Sequence, residues 1–221
     1  GLRNALLNDL FPRAVLTGSV PLPLRPLVGD LAAVAGTCDY IGINTYYRDQ
    51  IRFDVRRPAE LFARTVLAPG ARISDQPAGD WSWGELYPQG IARIAQQLRR
   101  YGKPLYITES GVADREDRLR PWVLASAVRA MHDAIRQGAD VRGYFHWTLV
   151  DNFEWAEGYS TRFGLVALDV ESGQRTPRPS AGLYGQIARA NALSARMLRD
   201  FGPEVVATAF PDAPATKRAT P

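Results

Sequence analysis

The sequence predicts an α/β fold in which buried parallel strands alternate with amphipathic helices. Three short apolar runs, at residues 39–45, 104–109 and 142–148, have the composition of strands that are covered on both faces. Residues 88–101 and 119–137 lie between them and carry apolar side chains at the spacing of one helix face. Strand, helix and strand in this order form a right-handed parallel crossover. The central sheet is therefore predicted to be parallel.

Length and composition indicate an ordinary globular domain and exclude several functional classes. The chain has 221 residues, of which 46% are hydrophobic and 23% charged. Its net charge of +4 comes from arginines scattered at helix spacings, which argues against a nucleic-acid-binding stripe. No apolar run approaches the ~20 residues of a membrane span, and no signal peptide is visible, so a cytoplasmic location without a membrane partner is expected. Cys38 is the single cysteine, which excludes an intrachain disulfide.

The first third of the chain is predicted to hold one helix and two long connections. Residues 1–16 carry Leu and Phe at helical spacing, and Pro12 is expected to interrupt this helix. Prolines and glycines in residues 17–36 predict an extended connection into a short helix at 30–35. Residues 48–86 form a polar connection that is longer than compact domains usually contain. We therefore expect residues 48–86 to contribute to a functional loop region.

The C-terminal part is predicted to hold a hairpin, a helix and a tail. Residues 163–177 have the pattern of a β-hairpin, and a helix is expected at about 180–199. After Pro203 the sequence is rich in Ala, Pro and Thr and has no periodicity, so disorder is expected. The chain is thus divided into a folded portion, residues 1–202, and a disordered tail, residues 203–221.

A carboxylate, Glu109, stands where the central apolar run ends. In α/β barrels the C-terminal ends of the strands build the active site, so Glu109 is a candidate catalytic carboxylate. The alternative from these residues alone is a glutamate that caps the next helix or lies in solvent. His146 lies inside the third predicted strand, where a satisfied core histidine is expected rather than a catalytic base.

Three blocks of sequence resemble glycoside hydrolase family 1, the retaining β-glucosidases and β-glycosidases. Residues 104–111, Pro-Leu-Tyr-Ile-Thr-Glu-Ser-Gly, are similar to its I-T-E-N-G signature. Residues 39–47, Asp-Tyr-Ile-Gly-Ile-Asn-Thr-Tyr-Tyr, look like its sixth barrel strand. Residues 141–169 include Gly-Tyr-Phe-His-Trp-Thr-Leu-Val-Asp-Asn-Phe-Glu-Trp and look like its eighth strand and sugar-binding loop. The chain departs from the family pattern at three positions to which no chemistry is assigned: Thr45, Ser110 and His146.

The resemblance implies a fold and an activity. The fold class is α/β, as the C-terminal part, about strands 6–8 and their helices, of a TIM (β/α)8 barrel. The activity is that of a retaining exo-β-glycosidase, with β-glucosidase expected, acting on terminal non-reducing β-D-glycosyl residues of a glycoside or oligosaccharide. The family's acid/base Asn-Glu-Pro motif does not occur here, and three strands do not make a barrel of eight. The expected partner is therefore the missing N-terminal half of the barrel, and neither a cofactor nor a metal is expected.

The resemblance also implies the roles of individual residues. Glu109 is the nucleophile, and the Tyr46 hydroxyl orients it; the alternative for Tyr46 is a core aromatic with a solvated hydroxyl. Retention needs a second carboxyl group about 5–5.5 Å away to protonate the leaving oxygen. Five further residues are implied to bind substrate: Asn44 at the rim, Trp147 against the pyranose, Glu154 on the 4- and 6-hydroxyls, Trp155 on the 3-hydroxyl and Phe163 near the 6-position.

Other interpretations stay open at this point. The chain is either part of such an enzyme or an inactive truncated or split fragment that binds at most a sugar or a complementary chain. A more distant alternative is another barrel hydrolase with its own acid, such as Glu157. The loop acids Asp151, Glu154 and Glu157 would otherwise suggest calcium, but their spacing is not that of an EF-hand. Trp81 and Trp83 are expected to anchor their loop, with an outer sugar platform as the alternative.

Overall fold

The computed structural model describes residues 4–20, 25, 29, 31–76 and 83–211. Its centre is a parallel sheet of three strands, β1 (Ile41–Asn44), β2 (Leu105–Gly111) and β3 (Val141–Trp147), in the order β1-β2-β3. Each strand lies where an apolar run predicted it. In the part of the chain that the structure describes, neither outer edge of this sheet pairs with another strand, so there is no closed barrel.

Two helices cover one face of the sheet. Helix α1 (Gly90–Leu98) connects β1 to β2, and helix α2 (Arg120–Arg136) connects β2 to β3, as expected for parallel crossovers. Gly102, with φ of +64°, ends the first connection in the left-handed conformation that favours glycine. The layer between sheet and helices is fully apolar and contains Ile41, Ile43, Leu105 and Ile107 from the strands, Ile91, Ala95 and Leu98 from α1, and Ala127, Ala130 and Ala134 from α2.

The opposite face of the sheet is not covered by any of the residues that the structure describes. A Cβ added to Gly42 would contact Thr108, and one added to Gly143 would contact Tyr106, so these four residues share this face. Phe145 lies on the same strand face as Gly143 and is 57% exposed. An exposed aromatic side chain in the middle of a parallel strand is unusual, because parallel sheets are normally covered on both faces.

The C-terminal residues form a second core with α2 and helix α3 (Pro179–Ala190). The expectation of disorder from residue 203 is wrong for the described part of the tail, because Pro203–Ala209 is a helix. Its Val205 and Ala209 are buried, and Thr208 accepts a hydrogen bond from the Trp122 indole at 3.0 Å. Tertiary contacts thus fix a segment whose composition suggested a tail. Residues 212–221 lie outside the described ranges.

Two expectations near the N-terminus are wrong. Pro12 does not interrupt the first helix, because the chain changes from π-helix (Ala5–Asp9) to α-helix (Leu10–Thr17) just before it. Pro12 then occupies the first α-helical turn, where proline is tolerated. Residues 32–36 form turns instead of a helix, since Gly36 with φ of +74° closes the segment after a few residues. The extended connection expected within 17–36 falls largely outside the described ranges.

The long connection after β1 contains more secondary structure than predicted. Residues 48–86 contain a hairpin of Gln50–Phe53 with Ala63–Val66, and Glu85–Leu86 pairs with Tyr47–Arg48.

The helix expected at about 180–199 is divided into α3 and a short helix, Ala195–Leu198. The chain leaves α3 at Asn191, with φ of +45°, and Ser194 caps the short helix. In the described ranges, every helix is too short or too polar to cross a membrane.

Candidate active site

Glu109 and Tyr46 meet at the C-terminal edge of the sheet. Asn44 at the end of β1 pairs with Glu109 of β2, and the Thr45 N–H donates to the Glu109 carbonyl oxygen at 2.9 Å. This pairing carries Tyr46 over the end of β2, where its hydroxyl donates to Glu109 Oε2 at 2.5 Å. Burial, followed by the hydrogen bond to this carboxylate, raises the pKa of the Tyr46 hydroxyl far above its usual value. Tyr46 is therefore a permanent donor to Glu109 at neutral pH.

A cavity of about 340 Å³ opens above this pair. Six of the seven site residues named from the sequence line it: Tyr46, Glu109, Trp147, Glu154, Trp155 and Phe163. The cavity is thus a largely aromatic cup with two carboxylates. Flat apolar rings beside a few charged acceptors are suited to the C–H faces and hydroxyls of a sugar ring.

Glu154 has one oxygen engaged and one unengaged in the described part of the chain. Its carboxylate accepts a side-chain hydrogen bond from Trp147, whereas Oε2 is buried without a hydrogen-bond partner. Burial raises the pKa of the Glu154 carboxyl; the Trp147 bond opposes this, and the charges of Glu109 and Glu157 add to the rise. A buried acceptor without a partner is costly, so a ligand donor at this position would be stabilised.

Phe163 and Trp155 complete the cup in different ways. Phe163 is buried, and its ring contacts that of Tyr46 edge-on, with 6.0 Å between ring centroids. Trp155 lines the cavity from its loop, is 84% exposed and has a φ of +44°. Phe163 therefore forms a wall of the site, and Trp155 is available to a ligand without displacing other side chains.

Asn44 is the one named residue that does not line the cavity. Its Oδ1 accepts a hydrogen bond from the Thr108 hydroxyl at 2.7 Å, on the uncovered face of the sheet. Its contact with substrate stays a prediction.

Sequence reasoning missed part of the cavity wall that comes from the long connection. Trp83 lines the cavity and packs against Phe163, with 5.4 Å between ring centroids. It thus anchors the loop and also presents a ring to the site. Tyr47 and Ser74 line the cavity too. The available signal was the polar length of residues 48–86, which indicated a functional loop without indicating which side chains enter it. Trp81 lies outside the described residues.

His146 lies away from the cavity, on the helix-facing side of β3. Its Nδ1 is 3.4 Å from the Tyr144 hydroxyl, while Nε2 is buried and has no partner among the described residues. Burial, followed by the nearby Arg120 charge, lowers the pKa of His146 to about 3. It is therefore an uncharged core histidine, although only one of its nitrogens is engaged. Within the described ranges, no three His, Cys, Asp or Glu side chains are grouped to hold a metal ion.

Comparison with known proteins identifies the family of this chain. The sequence model of glycosyl hydrolase family 1 matches residues 27–193, most of the chain. The chain belongs to this family. Among its curated family 1 relatives, the β-galactosidase of Saccharolobus solfataricus is 35% identical over 187 residues, which is 83% of this chain and 38% of the relative. A chloroplastic benzoxazinyl-glucoside β-D-glucosidase of Secale cereale is 31% identical over 230 residues, covering 90% of this chain and 40% of that protein.

Solved structures of family 1 enzymes are similar over the same region. The β-glycosidase of Pyrococcus horikoshii matches with a TM-score of 0.72 and 34% identity, covering 91% of this chain and 45% of that one. The family 1 β-glucosidase of Thermotoga maritima matches with a TM-score of 0.71 and 30% identity, covering 84% and 44%. These enzymes are TIM barrels, and this family 1 chain corresponds to part of one. It spans less than half the length of the relatives it matches.

Proposed function

We propose that this chain supplies the nucleophile half of the active site of a retaining exo-β-glycosidase, with β-glucosides as the preferred substrates. The observation that carries the proposal is the hydrogen bond from Tyr46 to Glu109 at the floor of an aromatic cavity. A carboxylate that attacks a sugar must be ionised and held in one orientation. A buried, permanently protonated tyrosine hydroxyl supplies both conditions.

Glu109 attacks the anomeric carbon with its carboxylate oxygen, and the glycosidic C–O bond breaks as the glycosyl–Glu109 ester forms. A general acid delivers a proton to the leaving oxygen in the same step. A water molecule, deprotonated by that same group, then attacks the anomeric carbon and releases the sugar and Glu109. Two inversions at one carbon give net retention. Tyr46 engages Oε2 in the starting state, which leaves the other oxygen for attack.

The sugar in this proposal occupies the aromatic cup. Trp147 offers its ring to the C–H face of the pyranose, and the unengaged Glu154 oxygen accepts from the 4- and 6-hydroxyls. Trp155 donates its indole N–H to the 3-hydroxyl, and Phe163 contacts the 6-position. Asn44 contributes at the rim if the complete site brings the sugar to it. These contacts select a terminal non-reducing residue, because the 4-hydroxyl must be free to reach Glu154.

The acid/base carboxyl and the remaining strands come, in our proposal, from polypeptide outside these residues. The three strands correspond to about strands 6–8 of the barrel, and the uncovered sheet face with exposed Phe145 is its interior. Glu157, the internal candidate for the acid, does not line the cavity. An inactive chain that only binds a sugar or a partner is the alternative, and it requires the same cavity without turnover.

A hybrid enzyme tests the proposal. In this hybrid, the chain replaces the part of the Saccharolobus solfataricus β-galactosidase that it matches, and the relative supplies the rest of the barrel. We expect hydrolysis of aryl β-D-glucosides and accumulation of a covalent adduct with a 2-deoxy-2-fluoro-β-D-glucosyl inactivator. Peptide mass spectrometry should place the adduct on Glu109. A folded hybrid that turns over but carries the adduct on another residue would contradict the assignment, and a folded hybrid without turnover would favour the binding-only alternative.

A further inference from the structure

Behind the cavity wall, Asp151 and Arg178 form a buried ion pair. Arg178 Nη1 lies 3.1 Å from Asp151 Oδ1, and Nη2 lies 3.0 Å from Oδ2, which is the bidentate arrangement of guanidinium and carboxylate. The Arg178 side chain is 8% exposed and the Asp151 side chain is 1% exposed. Burying such a pair is often no more favourable for stability than burying apolar side chains of the same size, so stability alone does not account for this pair and its geometry is the property to consider.

The same ion pair holds the residue that follows Phe163. The Gly164 N–H donates to Asp151 Oδ1 at 2.8 Å, and Arg178 Nη1 donates to the Gly164 carbonyl oxygen at 2.5 Å. Both backbone polar groups of Gly164 are therefore bound by the pair. A Cβ at this position would lie 2.3 Å from the Asp151 nitrogen and 2.5 Å from the Val166 carbonyl oxygen, so the backbones are in direct contact. Gly164 cannot shift without displacing Asp151.

The residue that precedes Phe163 is held from the other side. Arg120, whose side chain is fully buried, donates to the Arg162 carbonyl oxygen at 3.1 Å, and the Asp114 N–H donates to the same oxygen at 2.9 Å. Arg120 is itself bound by the Asp117 carboxylate and by the Asp114 carbonyl oxygen. Phe163 is thus fixed through its two chain neighbours, and its ring reaches the cavity from a clamped backbone.

We infer that Arg178 and Asp151 are positioning residues that set how the enzyme discriminates at the 6-position of the sugar. They do not touch the cavity themselves. They fix the backbone of Phe163, and Asp151 also belongs to the loop that carries Glu154 three residues later. The inference rests on the proposed function, since it concerns the sugar substituent nearest Phe163 and Glu154. The planar fork of arginine is required, because lysine offers a single point of attachment.

The first test uses the full 221-residue chain and needs no activity. Hydrogen exchange of the amides from Phe163 to Leu165 is compared between the chain and its Arg178→Lys variant. We expect exchange of the Gly164 amide to be faster by about ten-fold or more, because its acceptor Asp151 is no longer held in a bidentate pair. Arg175→Lys, at an exposed position three residues earlier, is the matched control and should leave exchange unchanged. Unchanged exchange in Arg178→Lys would overturn the inference.

The second test distinguishes positioning from general stability. The hybrid and its Arg178→Lys variant are assayed on an aryl β-D-glucoside and on the corresponding β-D-xyloside, which lacks carbon 6. We expect the ratio of kcat/KM values, glucoside over xyloside, to fall by about five-fold or more, with most of the change in KM for the glucoside. Equal losses on both substrates would assign Arg178 a purely structural role and overturn the inference. An inactive parent hybrid would instead count against the proposed function, while the exchange result still decides whether Arg178 holds the segment.

Discussion

The Tyr46 hydroxyl and Glu109 Oε2 lie 2.5 Å apart because β1 and β2 pair in parallel, one residue out of step at their C-terminal ends. The register shifts between Ile43 and Asn44, so that Asn44 pairs with Glu109. The shift leaves Tyr46 beyond the end of the strand, where its side chain can turn over the neighbouring carboxylate.

Tyr46→Phe in the hybrid tests the value of this hydrogen bond. A hydrogen bond to a charged group is worth about 1.5–3 kcal/mol, so turnover should fall on the order of ten- to hundred-fold. Tyr47→Phe is the matched control, since Tyr47 also lines the cavity but makes no described bond with Glu109. Steady-state kinetics on an aryl β-D-glucoside provide the measurement. Equal effects of the two substitutions would argue against an orienting role for Tyr46.

Glu109→Ala should abolish glycoside cleavage by the hybrid, because the covalent step has no nucleophile. External azide should then restore turnover of an activated aryl glucoside and yield the glycosyl azide of inverted configuration, identified by NMR. Glu157→Ala is the companion variant and should keep its activity, since Glu157 does not line the cavity. Substantial unaided activity of Glu109→Ala would remove Glu109 from the nucleophile role, and loss of activity in Glu157→Ala would revive the internal acid.

The raised pKa of the Glu154 carboxyl predicts a pH dependence of substrate binding. Burial raises the pKa of its carboxyl, so on acidification it loses its charge at a higher pH than an ordinary glutamate. The neutral form no longer accepts charge-assisted hydrogen bonds from sugar hydroxyls, so KM for the glucoside should rise as the pH falls through this raised pKa. Glu154→Gln should bind more weakly and show no such rise. A KM that is equally pH-dependent in both proteins would contradict the assignment.

The helix Pro203–Ala209 predicts an effect on stability. Ending the chain at Gly202 removes buried Val205 and Ala209 and the partner of the Trp122 indole. We expect the free energy of unfolding to decrease by about 2–4 kcal/mol, measured by urea denaturation. A chain that ends at Pro211 keeps this helix and is the reference for the comparison. Equal stability of the chains that end at Gly202 and at Pro211 would contradict a stabilising role for this helix.

The isolated chain should not hydrolyse glycosides. Among the described residues, the carboxylates that line the cavity are Glu109, the proposed nucleophile, and Glu154, which the proposal assigns to substrate hydroxyls, so the leaving oxygen receives no proton. General acid help is worth on the order of 10²–10⁴-fold. Activated aryl glycosides need the least protonation and are the most sensitive probe. Robust turnover by purified residues 1–221 would place the acid within this chain.

The positions of the parallel strands were predictable because they follow from buried apolar runs, whereas the meeting of Glu109 with Tyr46 was implied by the family resemblance alone, since it depends on the register shift at Asn44. The helix Pro203–Ala209 was not predictable, since two buried residues in an alanine-rich segment leave no periodic signal. Trp83 was ambiguous for a related reason. Its contact with Phe163 depends on the pairing of Glu85–Leu86 with Tyr47–Arg48. Strands of two residues are too short to be predicted from a sequence pattern.

In the proposed function, the uncovered face of the sheet and its edges, which are unpaired among the described residues, divide the catalytic machinery between two segments of polypeptide. In that proposal one segment, this chain, supplies the attacking group and the residues that recognise the sugar, and the other supplies the proton donor. Hydrolysis of a chromogenic glycoside would then report whether the two segments have associated, since neither segment alone would hydrolyse it. Fused to two proteins of interest, the two segments would form a split-enzyme sensor. Its background hydrolysis would be set by the affinity of the two segments for each other at this sheet. Substitutions at Phe145 would tune that affinity without altering the residues proposed to bind the sugar.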